Sequence, residues 1–232
     1  MRRGPKRERP DPIPGTITKR SVQVKDPNRV SVYVDGAFSF GMHLEAAVDL
    51  GIQKGVELSE ELLEHCLQAD EAYRARRKAL NLLAHRQRSV GELEQRLGMA
   101  GFGPAAIANA VERMDRLGYL NDLAFATSLA RDRLLSGKLG QRRVLDDLRR
   151  KGVDPTLAMR VVAEVSLGRD ETEDAYALAR KRARAVSDVD QARKQQRRLY
   201  GLLARRGFGA EAIRAALGRI GEEIGTEDTD DQ

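Results

Sequence analysis

Residues 89–120 read SVGELEQRLGMAGFGPAAIANAVERMDRLGYL, and this stretch sets the fold expected of the whole chain. Ser89 and Glu92 have the spacing of a capping box, in which hydroxyl and carboxylate each satisfy an orphan backbone N–H. Val90, Leu93 and Leu97 then share one helical face. Gly98 and Gly101 permit the left-handed backbone that closes a helix. Pro104 suits the first turn of a second helix, where its missing N–H costs nothing. Ile107, Ala110, Val111 and Met114 give that helix an apolar stripe, and Gly118 stops it. Two short helices and a turn are predicted.

The same skeleton returns twice. Aligned on Gly101, Gly152 and Gly207, the residue four places earlier is Leu97, Leu148 or Leu203, and the next residue is Phe102, Val153 or Phe208. Six places on stand Ile107, Ala158 and Ile213; nine on, Ala110, Val161 and Ala216; ten on, Val111, Val162 and Leu217. A longer helix is predicted before each pair, over 71–85, 122–136 and 171–186. The unit is therefore three helices, and such units stack on neighbours to complete a core. The fold class expected is mainly α: three tandem three-helix repeats in an elongated curved array, with a small β module before them.

Working outward, residues 1–15 are Pro-rich, basic and aperiodic, which predicts a disordered arm. Residues 16–70 form the β-plus-helix module. Ile17, Val22 and Val24 mark a first strand whose alternation slips once, and Pro27-Asn28 is a turn signal. Val30, Val32 and Val34 alternate in a second strand, Asp35-Gly36 is a hairpin signal, and AFSF is a third short strand. A short helix follows near 44–50, and Ser59 caps another over 60–68. The repeats are placed at 71–120, 121–169 and 170–220, and an acidic disordered tail at 221–232.

The chain has 232 residues, ample for a core, few aromatics and no Trp. Its one cysteine, Cys66, excludes an intramolecular disulfide and suggests a reducing compartment. No apolar run approaches the roughly 20 residues of a membrane span, and the basic N-terminus lacks the apolar stretch of a signal peptide. A cytoplasmic location is expected. The net charge of +6 is unevenly spread: residues 71–220 carry 31 basic and 18 acidic side chains, while residues 221–232 carry none and 6. A helical array with that excess has the footprint of a polyanion binder.

Catalytic signatures are missing. There is no phosphate-binding P-loop, and Gly101-Phe102-Gly103 is a helix–helix turn. His43, His65 and His85 are far apart, and none has the spacing of a metal-ligand pair. A binding protein without catalytic residues, metal or cofactor is expected.

The repeat skeleton, the β segment ending VYVDGAFSF, RLGYLNDLAFA at 116–126 and LRRKGVDPTLA at 148–158 together resemble the RecX family over about residues 16–220. The resemblance implies binding to the RecA recombinase, both free and as a filament on single-stranded DNA. It also implies restraint of filament growth, ATP hydrolysis and strand exchange, and an affinity for DNA itself. It supplies no binding motif. The candidate DNA-binding residues come instead from the basic clusters on and after each second helix: Arg142, Arg143, Arg149, Arg150, Lys151, Arg205 and Arg206. Contacts to single- or double-stranded DNA would be sequence-independent phosphate contacts, and a monomer is expected.

Two other readings stay open. In a helix-turn-helix regulator, a third helix would read the major groove, but IANAV and LAMRV carry few base-reading side chains. In a scaffold, the basic faces would meet only acidic proteins.

Overall fold

A computed structural model describes residues 11–184 and 188–226. The chain divides into two units, Met1–Arg86 with Leu93–Tyr119, and Gln87–Glu92 with Leu120–Gln232.

In the first unit, Gly15–Gln23 (β1), Asp26–Val34 (β2) and Ala37–His43 (β3) form an antiparallel meander. Asp35 and Gly36 both adopt positive φ, 48° and 84°, as the two-residue hairpin between β2 and β3 requires. Val30, Val32 and Val34 are buried with Ile17, Phe40 and Met42. A register shift between Ile17 and Lys19 accounts for the slipped alternation. Two expectations are corrected. The β1–β2 turn falls at Val24-Lys25, not at Pro27-Asn28, which lie within β2; Val22 and Val24 therefore face solvent. The sheet also has a fourth strand, Glu57–Leu58 (β4), pairing with Gly15 and Thr16. Two residues are too few to show alternation.

Leu44–Asp49 (α1) packs on the sheet, and Glu60–His85 (α2) follows. The Ser59 hydroxyl accepts from the Leu62 N–H at 3.1 Å, as expected of an N-cap. The two helices read at 60–68 and 71–85 are in fact one. No Gly or Pro interrupts them, and Asp70 at the join is buried, receiving both Arg29 guanidinium nitrogens at 2.8 and 3.1 Å. A buried carboxylate paired this way fixes α2 to β2. Pro104–Arg116 (α4) packs on α2, burying Ala75, Ala79, Ala106, Ala110 and Met114. Val90–Met99 (α3) precedes it and buries Leu93 and Leu97; its first residues belong to the second unit.

The second unit holds two further three-helix sets. Asp122–Leu134 (α5), Gln141–Arg150 (α6) and Pro155–Ser166 (α7) enclose Phe125, Ala130, Val144, Leu148, Val161 and Val162. Glu171–Arg180 (α8), Val189–Arg205 (α9) and Ala210–Thr226 (α10) enclose Ala175, Leu199, Leu203, Phe208, Ile213 and Ala216. In the second and third repeats the residues that register in sequence are all buried; in the first, Leu97 and Ala110 are buried while Phe102, Ile107 and Val111 are half-buried. Asn121 and Asp154 cap α5 and α7 through the N–H groups of Ala124 and Leu157. Gly101, Gly152 and Gly207 all have positive φ.

Two boundaries move. Residues 221–226, grouped with the tail by their charge, continue α10, where the Glu223 carboxylate pairs with Arg180 at 3.1 Å and accepts from the Tyr176 hydroxyl. The helix expected over 171–186 ends at Arg180. Residues 1–10 of the expected arm, 185–187 and 227–232 of the expected tail lie outside the described residues.

Candidate nucleic-acid interface

The second unit is built around a joint that recurs. At one junction the Gly140 N–H donates to the Arg206 carbonyl at 3.0 Å, and the Arg142 N–H to the Gly207 carbonyl at 3.2 Å. The start of α6 thus sits directly on the turn that ends α9. Two glycines make this approach possible. A Cβ on Gly140 would lie 2.3 Å from the Gly207 carbonyl oxygen, and one on Gly207 would lie 2.3 Å from the Arg143 nitrogen. At the other junction the start of α3 meets the turn that ends α6. Ser89 Oγ donates to the Lys151 carbonyl, the position equivalent to Arg206, and Gly91 lies against Gly152.

An acidic residue recurs in the first helix of each repeat, within α2 for Glu71 and at the helix start for Asp122 and Glu171, and its carboxylate accepts from N–H groups at the starts of neighbouring helices. Glu71 accepts from the Gly103 N–H at 2.8 Å, and Asp122 from the Val90 N–H at 2.8 Å. Glu171 does both jobs, accepting from Gln141 N–H at 3.0 Å and Gly209 N–H at 3.4 Å. Negative charge at the start of a helix is favoured, because unsatisfied N–H groups point there. The sequence signal was available: Glu71, Asp122 and Glu171 stand at nearly constant spacing just as the glycines do.

Beside the Gly140–Gly207 joint lies an open cleft of about 720 Å³. Its walls come from the end of α5, the loop after it, α6 and the end of α9. Five of the seven sequence candidates line it: Arg143, Arg150, Lys151, Arg205 and Arg206. Arg133 and Lys138 join them, giving seven basic side chains against two acidic, Asp132 and Asp147. Arg142 lines an adjoining groove with Arg143, Tyr200 and Arg205. Arg149 does not line the cleft; it points to solvent beside Asp146, at 3.5 Å. Helical geometry explains the split, since Arg149 and Arg150 diverge by about 100°.

The cations are not equivalent. Asp147, only 15% exposed, draws Arg143 at 3.3 Å, Arg133 at 3.8 Å and the Arg150 guanidinium. Lys151 reaches a buried carboxylate, Glu92, at 3.4 Å. Among the described residues, Lys138, Arg205 and Arg206 have no carboxylate partner. The two junctions also differ at one position. Nine residues before its turn glycine, the second repeat has Arg143 and the first has Glu92, which is 2% exposed and binds Arg88 at 2.7 Å as well as Lys151. One junction sets a buried carboxylate between two cations, and the other has a further cation in its place. Recurrence along the sequence pointed to helix-two cations. It could not show that α5 and its loop complete the cleft, because Arg133 and Lys138 have no counterpart in the repeat pattern.

Elsewhere, burial pushes the Cys66 thiol up to about 11, which keeps it protonated and unreactive. Among the described residues no three His, Cys, Asp or Glu side chains cluster as metal ligands, and no helix is long and apolar enough to cross a membrane.

A small antiparallel sheet followed by three tandem three-helix sets, with a cleft rich in basic side chains where two sets meet, defines a helical-repeat protein with a positively charged cleft. Four family models match in chain order: the regulatory protein RecX N-terminal domain at residues 15–59 and the RecX first, second and third three-helix domains at 75–114, 121–161 and 169–217. The chain belongs to the RecX family of regulatory proteins. It is 28% identical over 207 residues to regulatory protein RecX of Clostridioides difficile, covering 89% of this chain and 96% of that one. With regulatory protein RecX of Geobacillus kaustophilus it shares 31% over 210 residues, covering 88% and 76%. A solved regulatory protein RecX has the same fold, with a TM-score of 0.62 at 21% identity over 87% of this chain and 98% of that one. RecX from Lactobacillus salivarius gives 0.54 at 21% identity, over 66% and 99%.

Proposed function

We propose that this chain is a non-enzymatic negative modulator of the RecA recombinase, acting on RecA both free and assembled on single-stranded DNA. It restrains filament growth, and with it ATP hydrolysis and strand exchange. The observation that carries the DNA half of this reading is the convergence of Arg133, Lys138, Arg143, Arg150, Lys151, Arg205 and Arg206 on one open cleft. The RecA half rests on membership of the RecX family and on the resemblance noted in the sequence.

A phosphodiester backbone suits the cleft chemically. Guanidiniums pair with phosphate oxygens in a planar, two-pronged fashion, and the cations left without carboxylate partners, Lys138, Arg205 and Arg206, line one space. Such contacts read charge and spacing, not base sequence. The helix-turn-helix reading has weaker support. On α4, Asn109 is held by Arg76 at 3.2 Å and Glu112 pairs with Arg116, which leaves little to reach base edges.

The test is the salt dependence of binding to a labelled single-stranded oligonucleotide, for the native chain and for Arg143→Ala/Arg205→Ala/Arg206→Ala. Each phosphate contact contributes about 0.7 to the log–log salt slope on single strands, so the triple variant should flatten it by about 2. An unchanged slope would remove the cleft from the DNA site.

A further inference from the structure

We infer that the first unit carries its own single-stranded nucleic-acid subsite, a groove between α2 and the turn before α4 that combines a phosphate-tracking stripe with a base-stacking ring. This rests on the nucleic-acid reading proposed above but concerns a different surface. The groove, of about 380 Å³, is lined by Arg74, Lys78 and Asn81 of α2 and by Phe102. Arg74, Lys78 and Asn81 stand at i, i+4 and i+7, on one exposed face of the helix. At 1.5 Å per residue they span about 10 Å, room for more than one phosphate.

Two other cations at the groove are already engaged: Arg29 by Asp70 at 2.8 Å, and Arg77 by Asp26 at 2.7 Å. Among the described residues Arg74 and Lys78 have no carboxylate partner. The Arg74 guanidinium carbon lies 5.8 Å from the centre of the half-buried Phe102 ring. That is the far edge of cation–π range. A nucleobase stacked on the ring beside a cation is the combination by which single strands are held without sequence preference. A phosphate-only site has no use for the ring, and a duplex, with its bases stacked inside, has none to offer it.

The test uses the full chain and three probes: a fluorescent oligothymidylate, the same backbone with abasic sites, and polyglutamate as competitor. Arg74→Ala/Lys78→Ala should weaken binding to both oligonucleotides and flatten the salt slope by about 1. Phe102→Leu, which keeps an apolar side chain in place, should weaken thymidylate binding about fivefold and leave the abasic strand unchanged. Ultraviolet cross-linking of a bromouracil strand should map to residues 74–81 or 102. Three results would overturn the subsite: unaltered binding in the double variant, whose sites are exposed and safe for folding; an equal Phe102→Leu loss on abasic strand; or polyglutamate competing as well as thymidylate, which indicates an acidic peptide groove. Failure of the RecA reading is separate, appearing as unchanged RecA ATP hydrolysis with these oligonucleotide effects intact.

Discussion

Gly140→Ala adds one methyl group where the second and third repeats meet. Gly140 has φ of −82°, so alanine meets no backbone strain there. The whole cost is steric. The new carbon would lie 2.3 Å from the Gly207 carbonyl oxygen and 2.5 Å from the Phe208 Cα, both main-chain atoms that cannot swing aside. Overpacking of this kind costs about 1–3 kcal/mol. Opening the joint to relieve it also weakens the Gly140 and Arg142 N–H bonds to the facing turn, at about 1 kcal/mol each. A loss of about 3 kcal/mol is expected, which for a chain of this size lowers the melting temperature by about 6–12 °C. Gly118→Ala is the control: Gly118 has φ of +76° and open space around it, so alanine there costs only about 1–2 kcal/mol of left-handed strain. Urea denaturation followed by circular dichroism compares the two, and amide exchange at Gly140 and Arg142 locates the damage. If Gly140→Ala stays within about 0.5 kcal/mol of the native chain, the close glycine joint does not hold the cleft together.

Three further outcomes are expected. Glu171→Ala removes a shared acceptor for two helix starts and should cost about 2 kcal/mol, with Glu171→Gln recovering part of it, by the same denaturation assay. Burial holds His43, stacked on Tyr73 at 3.5 Å, below its ordinary pKa of 6.5. The unfolded chain therefore binds the proton more readily, and stability should fall as pH drops below 6.5; the urea midpoint should shift less between pH 7.5 and 5.5 in His43→Asn. Cys66, with its thiol raised to about 11, should react with a thiol reagent at pH 8 only after denaturant is added.

Much of the helical architecture was legible because period and punctuation agree. Leu97, Leu148 and Leu203 repeat at a fixed distance from glycines that must adopt positive φ, and each glycine does. The continuity of α2 was not legible: Asp70 reads as a solvent residue until Arg29, 41 positions away, is seen to bury it. The brief β4 was hidden for the same reason, since its partner is the far end of β1. For the candidate site, basic residues on and after the second helices were visible as a composition bias, and five of the seven meet in one cleft. Which cations are already satisfied was not visible. Asp147 stands three or four residues from Arg143 and Arg150, yet only the folded chain brings Arg133 to the same carboxylate. Nor could sequence say that Glu92, at the position equivalent to Arg143, is buried between Arg88 and Lys151.

The most direct test of the central proposal is ATP hydrolysis by the cognate RecA on single-stranded DNA, titrated with the native chain and with Arg143→Ala/Arg205→Ala/Arg206→Ala. The native chain should inhibit well below one molecule per RecA subunit, and the triple variant should require a higher concentration for the same effect. Undiminished hydrolysis at saturating native chain, under conditions where it binds the DNA, would contradict regulation of RecA by this protein.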